Sequence, residues 1–114
     1  MARKIGHILH DILEAIERIE HATDGKTFPQ FESSWEMRWL VQRGIEIISE
    51  ASRRIPEATK NQHPEIPWRK VAGIGNVLRH DYAGVADRII WGVVTDELPT
   101  LKKAIKAISA AVKE

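Results

Sequence analysis

Apolar residues recur at three- and four-residue steps along most of this chain, which is the spacing that places side chains on one face of an α-helix. The first such stretch predicts a helix from about Arg3 to Ala22, and Gly25 behind it is a candidate left-handed cap. A short loop over residues 26–30 should follow. The second stretch then predicts a long helix from about Phe31 to Ile55.

Prolines divide the second half of the chain into three further predicted helices. Pro56 ends the second helix, and the polar residues 57–66 predict a mobile loop. Pro67 suits the first turn of a third helix, which should run up to a break at 81–84. A fourth helix is expected over about Val85 to Thr95 and a fifth from near Pro99. The fold class is therefore all-α, an antiparallel up-and-down bundle of four or five helices in one domain over residues 1–114.

Composition narrows the function classes. The chain has 17 basic and 16 acidic residues and a net charge of +1, whereas a non-specific nucleic-acid binder is usually more basic. Any contact with RNA should therefore depend on a local site. There is no cysteine, which excludes a disulfide framework and a thiolate metal site. With no signal-like or membrane-length apolar run in the sequence, we expect a cytoplasmic protein that does not enter a membrane.

Several residues have a structural explanation that is favoured over a chemical one. A metal site on the first helix is less favoured than a solvated face for His7, His10 and Glu14. Core or dimer packing is favoured over base stacking for Trp35, Trp39, Trp68 and Trp91. A solvated basic face is favoured over RNA contact for Lys102, Lys103 and Lys106. Glu50 either pairs with an arginine near a site or faces water. Two glycines in the third helix, Gly73 and Gly75, suggest tight packing or the close approach of another chain or a ligand.

The end of the third helix holds the densest chemistry in the chain, namely Asn76, Arg79, His80, Asp81 and the only tyrosine, Tyr82. His80 can move a proton near neutral pH. Arg79 can hold phosphate oxygens, and its side chain can lean back over Gly75, one turn earlier. Asn76 can orient a 2′-hydroxyl or the imidazole. These groups suffice for RNA cleavage without a metal or cofactor, although spacing alone favours a solvated helix end that caps carbonyls.

A resemblance to a known family favours the chemical explanation over the solvated helix end. Residues 66–82, Ile-Pro-Trp-Arg-Lys-Val-Ala-Gly-Ile-Gly-Asn-Val-Leu-Arg-His-Asp-Tyr, and the following residues up to Leu101 resemble the HepT-like ribonuclease toxins of the HEPN superfamily. Residues 47–51, Ile-Ile-Ser-Glu-Ala, are similar to that family's segment ending in Gly-Glu-Ala. The resemblance also includes Thr23–Thr27 and so covers nearly the whole chain. The family signature is an arginine, four residues, a histidine, one residue and a tyrosine.

The resemblance implies a role for each motif residue. His80 matches the catalytic histidine, Tyr82 the tyrosine, and Asn76 the polar residue after the arginine, but Gly75 stands where the arginine would be. The implied activity is that of a toxin that cuts RNA by attack of the 2′-hydroxyl, with Arg79 in place of the missing arginine. The alternative is a catalytically weakened HEPN module that binds nucleotide, RNA or only its partner. A third hypothesis is a purely structural dimer.

The resemblance also implies partners. Members of the family form homodimers with two motifs facing each other across a cleft, where RNA would bind. They are paired with a minimal nucleotidyltransferase antitoxin of the MNT type, which is similar to enzymes that transfer AMP to the motif tyrosine. That residue is Tyr82 here. The added phosphate would bring negative charge and bulk beside His80 and would block the cleft.

Overall fold

The computed structural model describes residues 4–79 and 85–112, and these residues form helices and no strand. The helices are α1 (Ile5–Thr23), α2 (Phe28–Ser33), α3 (Trp35–Ser52), α4 (Glu57–Asn61), α5 (Trp68–Arg79), α6 (Val85–Gly92) and α7 (Leu98–Ala111), with a π-helical segment at Val93–Glu97 between the last two. The prediction of an all-α helical bundle is confirmed.

Helix α3 is the centre of the bundle, since it packs against α1, α2, α5 and α6, while α7 packs against α1 and the π-helical segment. The apolar stripes predicted from the sequence meet in one core. Its fully buried side chains include Ile12, Ile16, Ile19, Phe31, Val41, Ile45, Ile90 and Ile105. Helices α1 and α3 pack tightly at Gly44, where a Cβ atom would lie 2.7 Å from Ile19 Cδ1.

The predicted second helix is two helices, and its predicted start is wrong. The chain becomes helical at Phe28 because Thr27 forms a capping box with Gln30, in which each side chain satisfies the other residue's backbone amide. Ser34 then interrupts the helix with an extended backbone, and its side chain accepts a hydrogen bond of 3.1 Å from the amide of Met37. Ser34 therefore caps α3. The sequence does not reveal this N-cap, because apolar residues continue on both sides of Ser34.

The expectation of a mobile loop over residues 57–66 is also wrong. Helix α4 occupies its first half, and Ile66 at its end is only 4% exposed. The indole N–H of Trp68 donates to the carbonyl oxygens of Lys60 and His63, both at 3.1 Å. These hydrogen bonds hold residues 60–63 against the first residue of α5.

The predicted fourth helix begins correctly at Val85 but does not simply stop. It changes to π-helical geometry at Val93 and returns to α-helix at Leu98. Pro99 in the first turn of α7 has no N–H for a helical hydrogen bond, and a π turn is one way in which a helix accommodates such a gap.

Glycine and tryptophan positions partly differ from expectation. A Cβ atom at Gly73 would meet nothing within 4 Å, so tight packing does not explain this glycine. Trp35 and Trp39 are 56% and 67% exposed and stack edge to face on each other, which excludes the core of a single chain for both. Trp91 does pack inside, against Phe31, with the ring centroids 5.1 Å apart.

No helix within the described ranges is long and apolar enough to cross a membrane.

Candidate functional site

The C-terminal half of α5 carries the first residues of the predicted site. Asn76 is exposed, Gly75 before it is buried, and Ile74 faces the core. Arg79 is the last residue of α5, but its side chain lies outside the described part of the structure. His80 and Tyr82 also lie outside the described residues. The grouping of these side chains with Asn76 therefore stays a prediction.

One carbonyl on α5 anchors this face of the helix to α3. The Ala72 oxygen accepts hydrogen bonds from Ser49 Oγ and from Arg53 Nη2, each 2.8 Å long. Ser49 is only 2% exposed, so its bond is protected from water. Ala72 lies one helical turn before Asn76, on the same face. Ser49 on α3 and Arg53, directly after its end, thus fix the position of the face that presents Asn76.

The sequence prediction missed both anchors, although a signal was present for one. Ser49 is a polar residue among the buried positions of α3, between Ile48 and Ala51. A buried hydroxyl requires a hydrogen-bond partner. Arg53 follows Ser49 by one turn, but a charged residue at a helix end is normally solvated, so nothing in the sequence singles it out.

Glu50, which the sequence predicts either to pair with an arginine near the site or to face water, does both, and its partners follow three and four residues later in the chain. Its carboxylate oxygens lie 3.1 Å from Arg54 Nη2 and 3.8 Å from Arg53 Nη1. Its side chain is 58% exposed. The contact with α5 is made by the neighbours of Glu50, namely Ser49 and Arg53.

A second feature that the sequence did not reveal is Asp87, which is 7% exposed in the first turn of α6. Arg38 of α3 lies 3.8 Å from its carboxylate and also donates to the carbonyl of Glu32, at 2.7 Å. Arg38 thereby links α2, α3 and α6. This link holds the first turn of α6, the helix that follows the motif in the sequence.

Other surface features are separate from the Asn76 face. An apolar pocket of about 190 Å³ between α3, α5 and α7 is lined by Val71 and Ile74, on the core side of α5. Within the described ranges, no group of three or more histidine, aspartate or glutamate residues is placed to hold a metal ion. His10 lies 3.4 Å from Glu14 and is solvated. Of the basic residues on α7, Lys102 is paired with Glu20 at 2.7 Å.

Comparison with known proteins identifies the family. The model of the family described as "Ribonuclease HepT-like" matches residues 12–108. A protein of Thermococcus cleftensis, named as a probable ribonuclease HepT, is 43% identical over 102 residues, which cover 90% of this chain and 93% of that protein. A protein of Methanocaldococcus jannaschii, named as a candidate RNase, is 31% identical over 106 residues, covering 93% of this chain and 97% of its own.

A third relative, from Caldanaerobacter subterraneus and also named as a candidate RNase, is 35% identical over 102 residues and covers 90% of this chain and 88% of its own. No solved structure matches the chain significantly. The family match includes α5, the motif after it, and both anchors, Ser49 and Arg53. The chain belongs to the HepT-like ribonuclease family.

Proposed function

We propose that this protein is a metal-independent RNA endonuclease, the toxin of a toxin–antitoxin pair. Support comes from the family match over residues 12–108, which spans the motif that begins at Asn76. Related proteins that are aligned over most of this chain are named as ribonucleases. The observation that carries the proposal is the presence of His80 and Tyr82 at the family's spacing, directly after a helix face that α3 holds in place.

The proposed reaction is an internal transfer at phosphorus. The 2′-hydroxyl of one nucleotide attacks the adjacent phosphate, so that the O2′–P bond forms while the P–O5′ bond breaks. His80 accepts the proton of the 2′-hydroxyl and a proton is returned to the departing 5′-oxygen. Arg79 stabilises the charge on the phosphoryl oxygens, and Asn76 orients the 2′-hydroxyl or the imidazole. The products are a 2′,3′-cyclic phosphate and a 5′-hydroxyl.

The test compares His80→Ala with a histidine variant far from the motif. His10→Ala is the matched control, because His10 is solvated on α1 and pairs only weakly with Glu14 across 3.4 Å. We expect His80→Ala to lose RNA cleavage and growth arrest while keeping its circular dichroism spectrum, and His10→Ala to retain both activities. RNA with a 2′-deoxy sugar at the cleaved position should resist the wild-type protein. Full activity of His80→Ala would contradict the proposal.

We also propose that the active form is a homodimer. The exposed Trp35 and Trp39, whose ring centroids lie 5.1 Å apart, provide an apolar surface that a second chain would cover. Sedimentation should give a dimer for the wild type and a monomer for the double variant Trp35→Ser/Trp39→Ser. A monomeric wild type would overturn the dimer, and a dimeric double variant would overturn its placement on this surface.

Control by an MNT-type nucleotidyltransferase is proposed to act at Tyr82. Incubation with ATP and an MNT-type nucleotidyltransferase should add the mass of one adenylyl group and abolish RNA cleavage. Because Tyr82 is the only tyrosine, Tyr82→Phe should remain unmodified. Modification of Tyr82→Phe at another residue would exclude this site.

The alternative function is a binding module with weakened catalysis, and Gly75 at the position of the motif arginine favours it. It predicts that wild type and His80→Ala cleave RNA equally slowly, yet bind RNA or the nucleotidyltransferase. A purely structural dimer would bind neither of them.

A further inference from the structure

The missing arginine leaves a specific physical gap. Gly75 is buried and carries no side chain, so it brings no charge to the face of α5 on which Asn76 is exposed. In a helix, side chains lean toward the N-terminus, so that each covers the surface over the turn before its own Cα atom. An arginine at position 75 would therefore place its guanidinium over residues 71 and 72. A cation that replaces this arginine would have to lie over the same two residues.

Arg53, the C-cap residue of α3, lies at that surface. Its Nη2 donates to the Ala72 carbonyl at 2.8 Å, so its guanidinium is fixed over the turn that an arginine at position 75 would cover. A guanidinium has five N–H donors, and the Ala72 carbonyl takes one of them. The Arg53 side chain is 45% exposed, which leaves it accessible to a ligand from solution.

The local charges favour an anion at this point. Glu50 is the acidic neighbour, and its carboxylate lies 3.1 Å from Arg54 but 3.8 Å from Arg53, a distance too long for a hydrogen bond. Two arginines and one glutamate leave one positive charge in excess. Because Arg54 is the closer partner of Glu50, the excess charge is on Arg53, which is the arginine that touches α5.

We propose that Arg53 supplies the guanidinium that Gly75 lacks, and that it binds a phosphate of the RNA substrate beside Asn76. This inference rests on the proposed ribonuclease function. Arg53 approaches the Asn76 face from the N-terminal side of α5, whereas Arg79 follows Asn76 at the C-terminal end. A phosphate bound by Arg53 beside Asn76 would be positioned without an arginine at position 75.

The chain contains two controls for the test. Arg54→Ala removes an arginine of similar exposure whose guanidinium is hydrogen-bonded to Glu50, at 3.1 Å, instead of to the Ala72 carbonyl. Ser49→Ala removes the other hydrogen bond to the Ala72 carbonyl and leaves the charge unchanged. Ser49→Ala therefore reports how much of any effect comes from a loosened α5, and unfolding curves of all variants verify the fold.

We expect Arg53→Ala to lower kcat/KM for RNA cleavage about a hundredfold, as is typical of removing one group that stabilises a transition-state charge. Arg54→Ala should stay within about twofold of the wild type because solvated charges are screened. Arg53→Lys should recover part of the loss, since it restores the charge but not the planar fork. An Arg53→Ala effect no larger than that of Ser49→Ala or Arg54→Ala would overturn the proposal.

A second measurement needs no cleavage. The affinity for single-stranded RNA should fall with salt less steeply in Arg53→Ala than in wild type, by about 0.7 in the slope of log K against log salt for one lost phosphate contact. An unchanged slope would overturn the role of Arg53. If the wild type does not cleave RNA but the salt slope is lower in Arg53→Ala, the ribonuclease function is refuted and the phosphate contact is supported. If the wild type cleaves RNA, and Arg53→Ala has the same cleavage rate and the same salt slope, only the inference about Arg53 is refuted.

Discussion

Alanine at position 44 would place a new methyl group where α3 packs tightly against α1. Its Cβ atom would lie 2.7 Å from Cδ1 and 2.8 Å from Cγ1 of Ile19, a side chain that is completely buried. Two effects oppose each other. Replacing a glycine in a helix interior by alanine gains about 1 kcal/mol of unfolding free energy, whereas overpacking a core costs about 1–3 kcal/mol. We therefore expect Gly44→Ala to be neutral or to lose up to about 2 kcal/mol.

Gly73→Ala is the matched control, because a Cβ atom there meets nothing within 4 Å. It should gain about 1 kcal/mol from helix propensity alone. The difference between the two variants isolates the cost of overpacking, about 1–3 kcal/mol, and urea unfolding followed by circular dichroism measures it. Adding Ile19→Val, which removes Cδ1, should relieve part of the cost of Gly44→Ala. Equal stabilisation by Gly44→Ala and Gly73→Ala would refute the close packing of α1 and α3.

Three further predictions concern other parts of the bundle. Ser34→Ala should lower the unfolding free energy by about 1 kcal/mol because α3 loses its cap, whereas Ser33→Ala beside it should change it by less than about 0.5 kcal/mol; urea unfolding compares them. Phe31→Ala should cost about 3–5 kcal/mol in the same assay, and a cost under about 1 kcal/mol would show that α2 is dispensable. The hydrogen bond with Glu20 raises the pKa of Lys102 above its usual value of 10.5. The difference in unfolding free energy between wild type and Lys102→Met should therefore persist below pH 10.5 and vanish as the pH rises through the raised pKa. A difference that stays constant up to about pH 12 would contradict the pairing.

The fold class was predictable because the apolar stripes of the helices are long and regular. The stripe of the first helix, from Ile5 to Ile19, gives its bounds to within two residues. The break at Ser34 was not predictable from periodicity, since apolar and aromatic residues continue on both sides of it. Helix α4 was missed because its stability comes from tertiary contacts, including the hydrogen bonds of the Trp68 indole, and its own five residues are too few to signal a helix.

The candidate site was predictable only where its residues are adjacent in the sequence. Asn76, His80 and Tyr82 lie in one short motif, so their spacing identifies them. Arg53 contacts α5 and Asp87 contacts α3, and such contacts depend on how the helices pack. A sequence pattern describes one helix at a time and carries no information about which residue of a neighbouring helix lies across from it.

The π-helical segment Val93–Glu97 has a consequence for changes in chain length. Its hydrogen bonds span one residue more than those of an α-helix, so the turn accommodates one extra residue between α6 and α7. Deleting one residue there would let the α-helical pattern continue with both flanking helices in their present orientations. The same deletion inside α7 would rotate all later residues by about 100° and turn buried side chains such as Ile105 toward water. A one-residue deletion should therefore do less damage in this segment than inside α7.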